Sequence, residues 1–147
     1  MGEKSMKDVA EMMADIDFCM METHTDGGHI AARPMSSNGD VEYDGDSWFF
    51  SYEDSRKIRD IRTDPRVGLS FQGSGGVMGL VGKPGDMVAV QGKAELIDDK
   101  EMFRKHWVPD LEYWFKDGID TPGMILIKVR AERITYWSGM DQGEFTL

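Results

Sequence analysis

SWFFSYEDSRKIRDIRTDPRV, Ser47 to Val67, decides how this 147-residue chain is to be read. Trp48, Phe49 and Phe50 are bulky residues suited to a buried strand. Asp54 and Ser55 are N-cap types, and Ile58 and Ile61 give a short helix one apolar side. Asp64-Pro65 ends that helix, because the residue before a proline is pushed out of the α region. The pattern predicts a strand, a tight turn and a helix start, with Ser51, Ser55, Arg56 and Lys57 gathered at the turn. A helix N-terminus offers unpaired N–H donors and a partial positive charge. With hydroxyls and cations added, such a turn makes a phosphate cradle, so a phosphorylated ligand is expected.

Working outward, Ser5-Met6-Lys7-Asp8 is a capping-box pattern ahead of Val9, Ala10, Met12 and Met13, which predicts a first helix. Phe18 to Glu22 and His29 to Met35 read as strands joined through the turn signal Asp26-Gly27-Gly28. Asn38-Gly39 and Asp44-Gly45 mark further turns before the Trp48 strand. Val67 to Gln72 is a strand after the short helix, and Gly73 to Gly85 a glycine-rich hairpin or loop. Met87 to Ile97 alternates as a long strand does. Asp98-Asp99 opens a helix through roughly Trp107, and Leu111 to Phe115 reads as another. Met124 to Val129 and Ile134 to Trp137 read as two separate final strands.

Six or seven short strands with a few short helices favour a closed or partly closed β-barrel, mainly β within an α+β class. Strand–helix alternation is too sparse for parallel βαβ units. The length suits a single domain, 1–147.

The chain carries a formal net charge of −10, which repels nucleic-acid phosphates, and no basic stripe compensates. No apolar run is long enough to span a bilayer, and Ser5 to Met13 is amphipathic rather than the apolar centre of a signal peptide. Met6 stands where a myristoylation signal wants Ser or Thr. Cys19 is the only cysteine, so an internal disulfide is impossible and a reducing, cytoplasmic setting is expected. In the apolar run FCMM it reads as a packing thiol. His24, His29 and His106 show no metal-ligand spacing.

The run DSRKIRDIRTDPRV, preceded by WFFSY, resembles the flavin-phosphate segment of the FMN-binding split-barrel superfamily. That superfamily holds the pyridoxamine 5′-phosphate oxidases and related general stress proteins. Ala32-Arg33-Pro34-Met35 resembles its companion motif, and HWVPDLEYWF followed by ILIKVRAERITYW resembles the general-stress-protein branch. The resemblance implies a split β-barrel homodimer with FMN held between two subunits. It implies that Arg33 reaches the flavin phosphate and side chain, that Pro34 and Met35 lie beside the isoalloxazine, and that Phe50, Ser51 and Tyr52 line the flavin. Ser55, Arg56 and Lys57 would hold the phosphate, Arg as a fixed fork and Lys as a point charge. Trp107, Trp114 and Trp137 are candidates to cover the ring from the partner subunit.

The departures from the oxidases matter as much. Their lysine beyond the arginine motif is matched here by Asn38, and their C-terminal Arg-x-His pair has no counterpart after Trp137. The chain shows instead an acidic, glycine-containing tail, Met140 to Leu147. Oxidation of pyridoxamine phosphate is therefore not expected. No acid, base or nucleophile stands out, which fits a site where the flavin carries the chemistry. Two functions follow: an FMN-dependent oxidoreductase using a small-molecule electron donor and acceptor, or a non-catalytic protein that stores or senses FMN. A deazaflavin or haem in the same barrel is a thinner alternative, and the phosphate cluster argues against haem.

Overall fold

The computed structural model describes residues 4–37, 43–73 and 85–147. The turn at Asn38-Gly39, Asn38 itself and nearly all of the Gly73–Gly85 loop lie outside the described residues. Helix α1 (Met6–Ala14) starts at Ser5, whose side chain accepts from the Asp8 amide while Asp8 accepts from the Ser5 amide. That is the capping box read from the sequence. Strands β1 (Phe18–His24) and β2 (Ile30–Ser36) form the expected hairpin, Gly28 taking a φ of 80° in the turn. β3 (Asp46–Tyr52), α2 (Arg56–Thr63), β4 (Arg66–Gln72) and β5 (Met87–Ile97) follow, then α3 (Lys100–His106) capped by Asp99. The helix expected over Leu111 to Phe115 is a tighter 3-10 turn, Pro109–Tyr113, with proline at its start.

The two strands expected at the C-terminal end are one. β6 runs unbroken from Met124 to Ser138 and pairs with the whole of β5 through Leu126 to Trp137. Alternation breaks at Glu132-Arg133 because of a β-bulge: Gln91 faces Arg133 while Gly92 faces Ala131, leaving Glu132 as the extra residue. The bulge lets Ala131 and Ile134 both point inward. Gly92 is required there, since any Cβ would run into the Arg130 carbonyl. The acidic tail forms β7 (Asp141–Thr146), which pairs with β6. Gly143 in β7 passes beneath the buried Tyr136 hydroxyl, which leaves no room for a side chain.

Among the described residues all pairings are antiparallel, in the order β2-β1-β4-β5-β6-β3, with β7 also on β6. β3 and β7 lie end to end along one edge of β6, opposite Met124 to Arg130 and Arg133 to Ser138 respectively. The main core packs α1 and α2 against one face of this sheet through Val9, Met13, Ile58, Ile61, Met21, Leu69, Val90 and Ile134. A smaller core on the opposite face joins Phe50 and Leu126 to Phe103 of α3 and to Phe115. Phe49 enters the first core and Phe50 the second, which explains two consecutive buried aromatics in β3. The result is mainly antiparallel β with three helices among the described residues, an α+β arrangement of the split-barrel kind. Among the described residues no helix is long and apolar enough to cross a membrane. Cys19 is buried, and burial together with the Glu22 charge pushes its thiol up to about 12, so it packs rather than reacts.

Candidate functional site

The turn from β3 into α2 brings together Ser51, Ser55, Arg56 and Lys57, the residues expected from the sequence to hold a phosphate. Ser55 is the N-cap of α2, yet its side chain makes no capping hydrogen bond. Its hydroxyl lies 3.3 Å from that of Ser51, which is buried on the inward face of β3. The first-turn amides of α2 are thus free of a side-chain cap and stand beside two hydroxyls, with Arg56 and Lys57 immediately after them.

Arg33 arrives from β2. It stands opposite Met21, so its side chain shares the inward face with Met21 and Thr23 and reaches towards α2. Arg33 Nη1 donates to Thr23 Oγ1 at 2.8 Å and to the Met21 carbonyl at 3.3 Å. Thr23 Oγ1 in turn donates to Asp60 Oδ2 at 2.8 Å, and Arg33 Nη2 lies 3.8 Å from the same oxygen. Thr23 and Asp60 are both buried. The guanidinium is therefore held on one side by a buried relay.

Its other surroundings are cationic. Burial, with Arg56 adding to it, lowers the Arg33 pKa against the opposing pull of Asp60. Burial and then the Arg33 charge lower the Lys57 pKa in the same way. Among the described residues Lys57 forms no hydrogen bond or ion pair. Two partly desolvated cations facing each other without a shared anion are costly, and a phosphate dianion between them removes that cost.

The remaining sequence-expected residues fall into separate groups. Met35 points inward and is buried, whereas Pro34 points outward opposite the exposed Met20. Phe50 and Tyr52 project from the face of β3 opposite Ser51. Phe50 packs edge-on against Trp107, ring centres 5.4 Å apart. Tyr52 packs on Phe115 and donates its hydroxyl to the Trp114 carbonyl at 3.1 Å. Trp107 is thus half-buried in its own chain's smaller core, while Trp114 is 54% exposed. Trp137 is half-exposed at the far end of β6 from Met124, which faces Tyr52, so within one chain it stands well away from the cradle. Asn38 lies outside the described residues.

Sequence reasoning missed Thr23 and Asp60. Thr23 carries a faint signal, being the one polar residue on the inward side of β1 after Cys19 and Met21. Asp60 carries less, because a charged residue beside Ile61 in so polar a helix reads as solvated.

Comparison with known proteins agrees with the fold. Protein bli-3 of Neurospora crassa is 28% identical over 143 residues, covering 91% of this chain. The chain spans 65% of that curated relative's length. Among solved structures, a Clostridium acetobutylicum protein related to general stress protein 26, of the pyridoxinephosphate oxidase family, superposes with a TM-score of 0.80 at 17% identity. That match covers 100% of this chain and 97% of the other. General Stress Protein 26 of Bacillus anthracis gives 0.72 at 20% identity, covering 92% and 93% of the two chains. A heme binding protein of Mycobacterium smegmatis gives 0.76 at 17%, covering 99% of this chain and 60% of that one. At these identities the structures speak for the fold. A family model described as pyridoxamine 5′-phosphate oxidase like matches residues 4–146, and the chain belongs to that family.

Proposed function

We propose that the protein binds FMN and is a flavin-dependent oxidoreductase acting on a small molecule. The observation that carries this reading is the uncapped start of α2, where the Ser51 and Ser55 hydroxyls lie 3.3 Å apart and Arg56 and Lys57 follow, with Arg33 fixed over Asp60 of the same helix through Thr23. Arg33 contributes a fixed fork, Lys57 a point charge, Ser51 and Ser55 hydroxyls, and α2 its N-terminal amides and positive dipole end. Those groups match a terminal phosphate, and they fit the phosphate of FMN better than a haem. When bound, FMN supplies the hydride- and electron-accepting chemistry.

The site is completed, in this reading, by a second copy of the chain. The outward face of β1 and β2 carries Phe18, Met20 and Ile30 at 57%, 40% and 70% exposure, with Pro34 between them. An apolar patch of that kind is what a homodimer covers. A partner copy would also bring its own Trp114 or Trp137, which are exposed in one chain, to the flavin.

Anaerobic mixing of the FMN-loaded protein with NADPH, followed at the visible flavin band, tests the redox assignment. The expected result is bleaching faster than that of free FMN under the same conditions, followed by recovery when a quinone is added. Bleaching no faster than free FMN, with no response to the quinone, would leave a protein that stores or senses FMN.

A further inference from the structure

Thr23 and Asp60 are buried polar residues that stand outside the phosphate cradle itself. Packing of α2 does not call for a carboxylate at Asp60, since Ile58 and Ile61 already carry the helix into the main core. A buried carboxylate weakens a fold unless its oxygens are answered. Asp60 is answered from two other elements: by the Thr23 hydroxyl of β1 at 2.8 Å, and by Arg33 Nη2 of β2 at 3.8 Å.

This arrangement has a direction. An ionised carboxylate can only accept, so the Thr23 proton points to Asp60 and the hydroxyl lone pairs are left for another donor. Arg33 Nη1 donates to them at 2.8 Å and to the Met21 carbonyl at 3.3 Å, which engages both Nη1 protons. Nε and Nη2 make no hydrogen bond among the described residues, the 3.8 Å approach to Asp60 being too long for one. A guanidinium held through Nη1 cannot turn freely, so its Nε–Nη2 edge is presented in one orientation as a two-pronged donor. The Arg33 side chain is 19% exposed, so it is not sealed in the core.

The same contacts fix where that edge lies. Asp60 follows Arg56 by four residues and Lys57 by three, which puts it on their side of α2, one turn further from the helix start. Holding Arg33 to Thr23 and Asp60 therefore brings a side chain of β2 to the first turn of α2, beside the uncapped amides.

We propose that Thr23 is a positioning residue for phosphate recognition: its hydroxyl, oriented by Asp60, turns the Arg33 guanidinium so that the Nε–Nη2 edge serves the phosphate. The inference rests on the FMN reading, which the wild-type preference for FMN over riboflavin tests separately. Thr23→Val keeps shape and charge and removes the hydroxyl, whereas Thr23→Ser keeps the hydroxyl and loses only a methyl group. In titrations of the flavin-free proteins at low temperature, Thr23→Val should bind FMN about three- to tenfold more weakly, with riboflavin affinity within about twofold of wild type. Thr23→Ser should keep FMN affinity within about twofold. A purely structural Thr23 would instead weaken both flavins together. Should Thr23→Val not fold, NMR of the flavin-free wild type decides: a held guanidinium gives separate Nη proton signals for Arg33, and a freely rotating one gives averaged signals. Averaged signals would overturn the proposal. So would equal loss of FMN and riboflavin in Thr23→Val, unchanged FMN affinity in that variant, or the same loss of FMN affinity in Thr23→Ser. A wild type that binds FMN and riboflavin equally would overturn the FMN reading, and this inference with it.

Discussion

Replacing Arg33 by alanine is expected to damage both the fold and the phosphate site. In the folded chain Arg33 is mostly buried and stands over the Thr23–Asp60 pair, its side chain 19% and that of Asp60 8% exposed. Removing one member of a buried, hydrogen-bonded charge pair strands the other, at a cost of about 3–5 kcal/mol. The 3.8 Å separation, with Thr23 still bonded to Asp60, puts Arg33→Ala at the lower end, about 3 kcal/mol. For a chain of this length that lowers the melting temperature by roughly 6–12 °C. Thermal melts of the protein without flavin check the first effect, and FMN titration of the folded variant at low temperature checks the second. A variant that melts like the wild type would show that the Asp60 relay is not anchored by Arg33.

Lys57→Ala should behave in the opposite way, sparing the fold and hurting the ligand. Lys57 is half-buried, has no partner among the described residues, and faces the like charge of Arg33. Its loss removes a desolvated ammonium and a repulsion, so the protein without flavin should melt within about 0.5 kcal/mol of the wild type or slightly above it. With FMN bound, the ammonium becomes a charge-assisted donor worth about 1.5–3 kcal/mol. The variant should therefore bind FMN about 10- to 150-fold more weakly. Riboflavin affinity should hardly change. Weakening of FMN and riboflavin by the same factor would place Lys57 away from the phosphate. The contrast between the two variants follows from one geometric difference: Arg33 is held by a buried carboxylate, and Lys57 is not.

How much of this was legible in the sequence depends on whether a signal was local. The capping box at Ser5, the turn at Gly28, the stop at Asp64-Pro65 and the alternation of β5 are local, and each element stands within a residue or two of its expected place. β6 read as two strands because its bulge at Glu132 breaks the alternation, and the compensating partner, Gly92, is some forty residues away in β5. β7 was invisible for another reason: Asp141-Gln142-Gly143-Glu144-Phe145-Thr146 buries no residue fully and holds one large apolar side chain. Its place comes from pairing with β6 and from the fit of Gly143 under Tyr136.

The candidate site divides in the same way. Ser51, Ser55, Arg56 and Lys57 lie within seven residues, so the turn that gathers them could be read directly. Arg33 joined them through family resemblance, and the structure brings it to them across the sheet. The Thr23–Asp60 relay required a strand and a helix 37 positions apart to be in contact, and no local pattern encodes that. Likewise, three tryptophans were expected to share one role, yet they occupy three environments. Trp107 belongs to the smaller core, Trp114 is exposed beside Tyr52, and Trp137 stands at the other end of β6. Aromatic residues carry no signal in sequence that separates packing from ligand contact.

The central claim, that Arg33, Lys57 and the start of α2 form a site for the terminal phosphate of FMN, is tested most directly by titrating the flavin-free protein with FMN and with riboflavin. The two ligands share the ring and ribityl chain and differ only in the phosphate. Three or more charge-assisted contacts to that group predict that FMN binds at least about a hundredfold more tightly than riboflavin, with a preference that shrinks as salt is raised. Equal affinity for the two, or a preference that salt leaves untouched, would contradict the account.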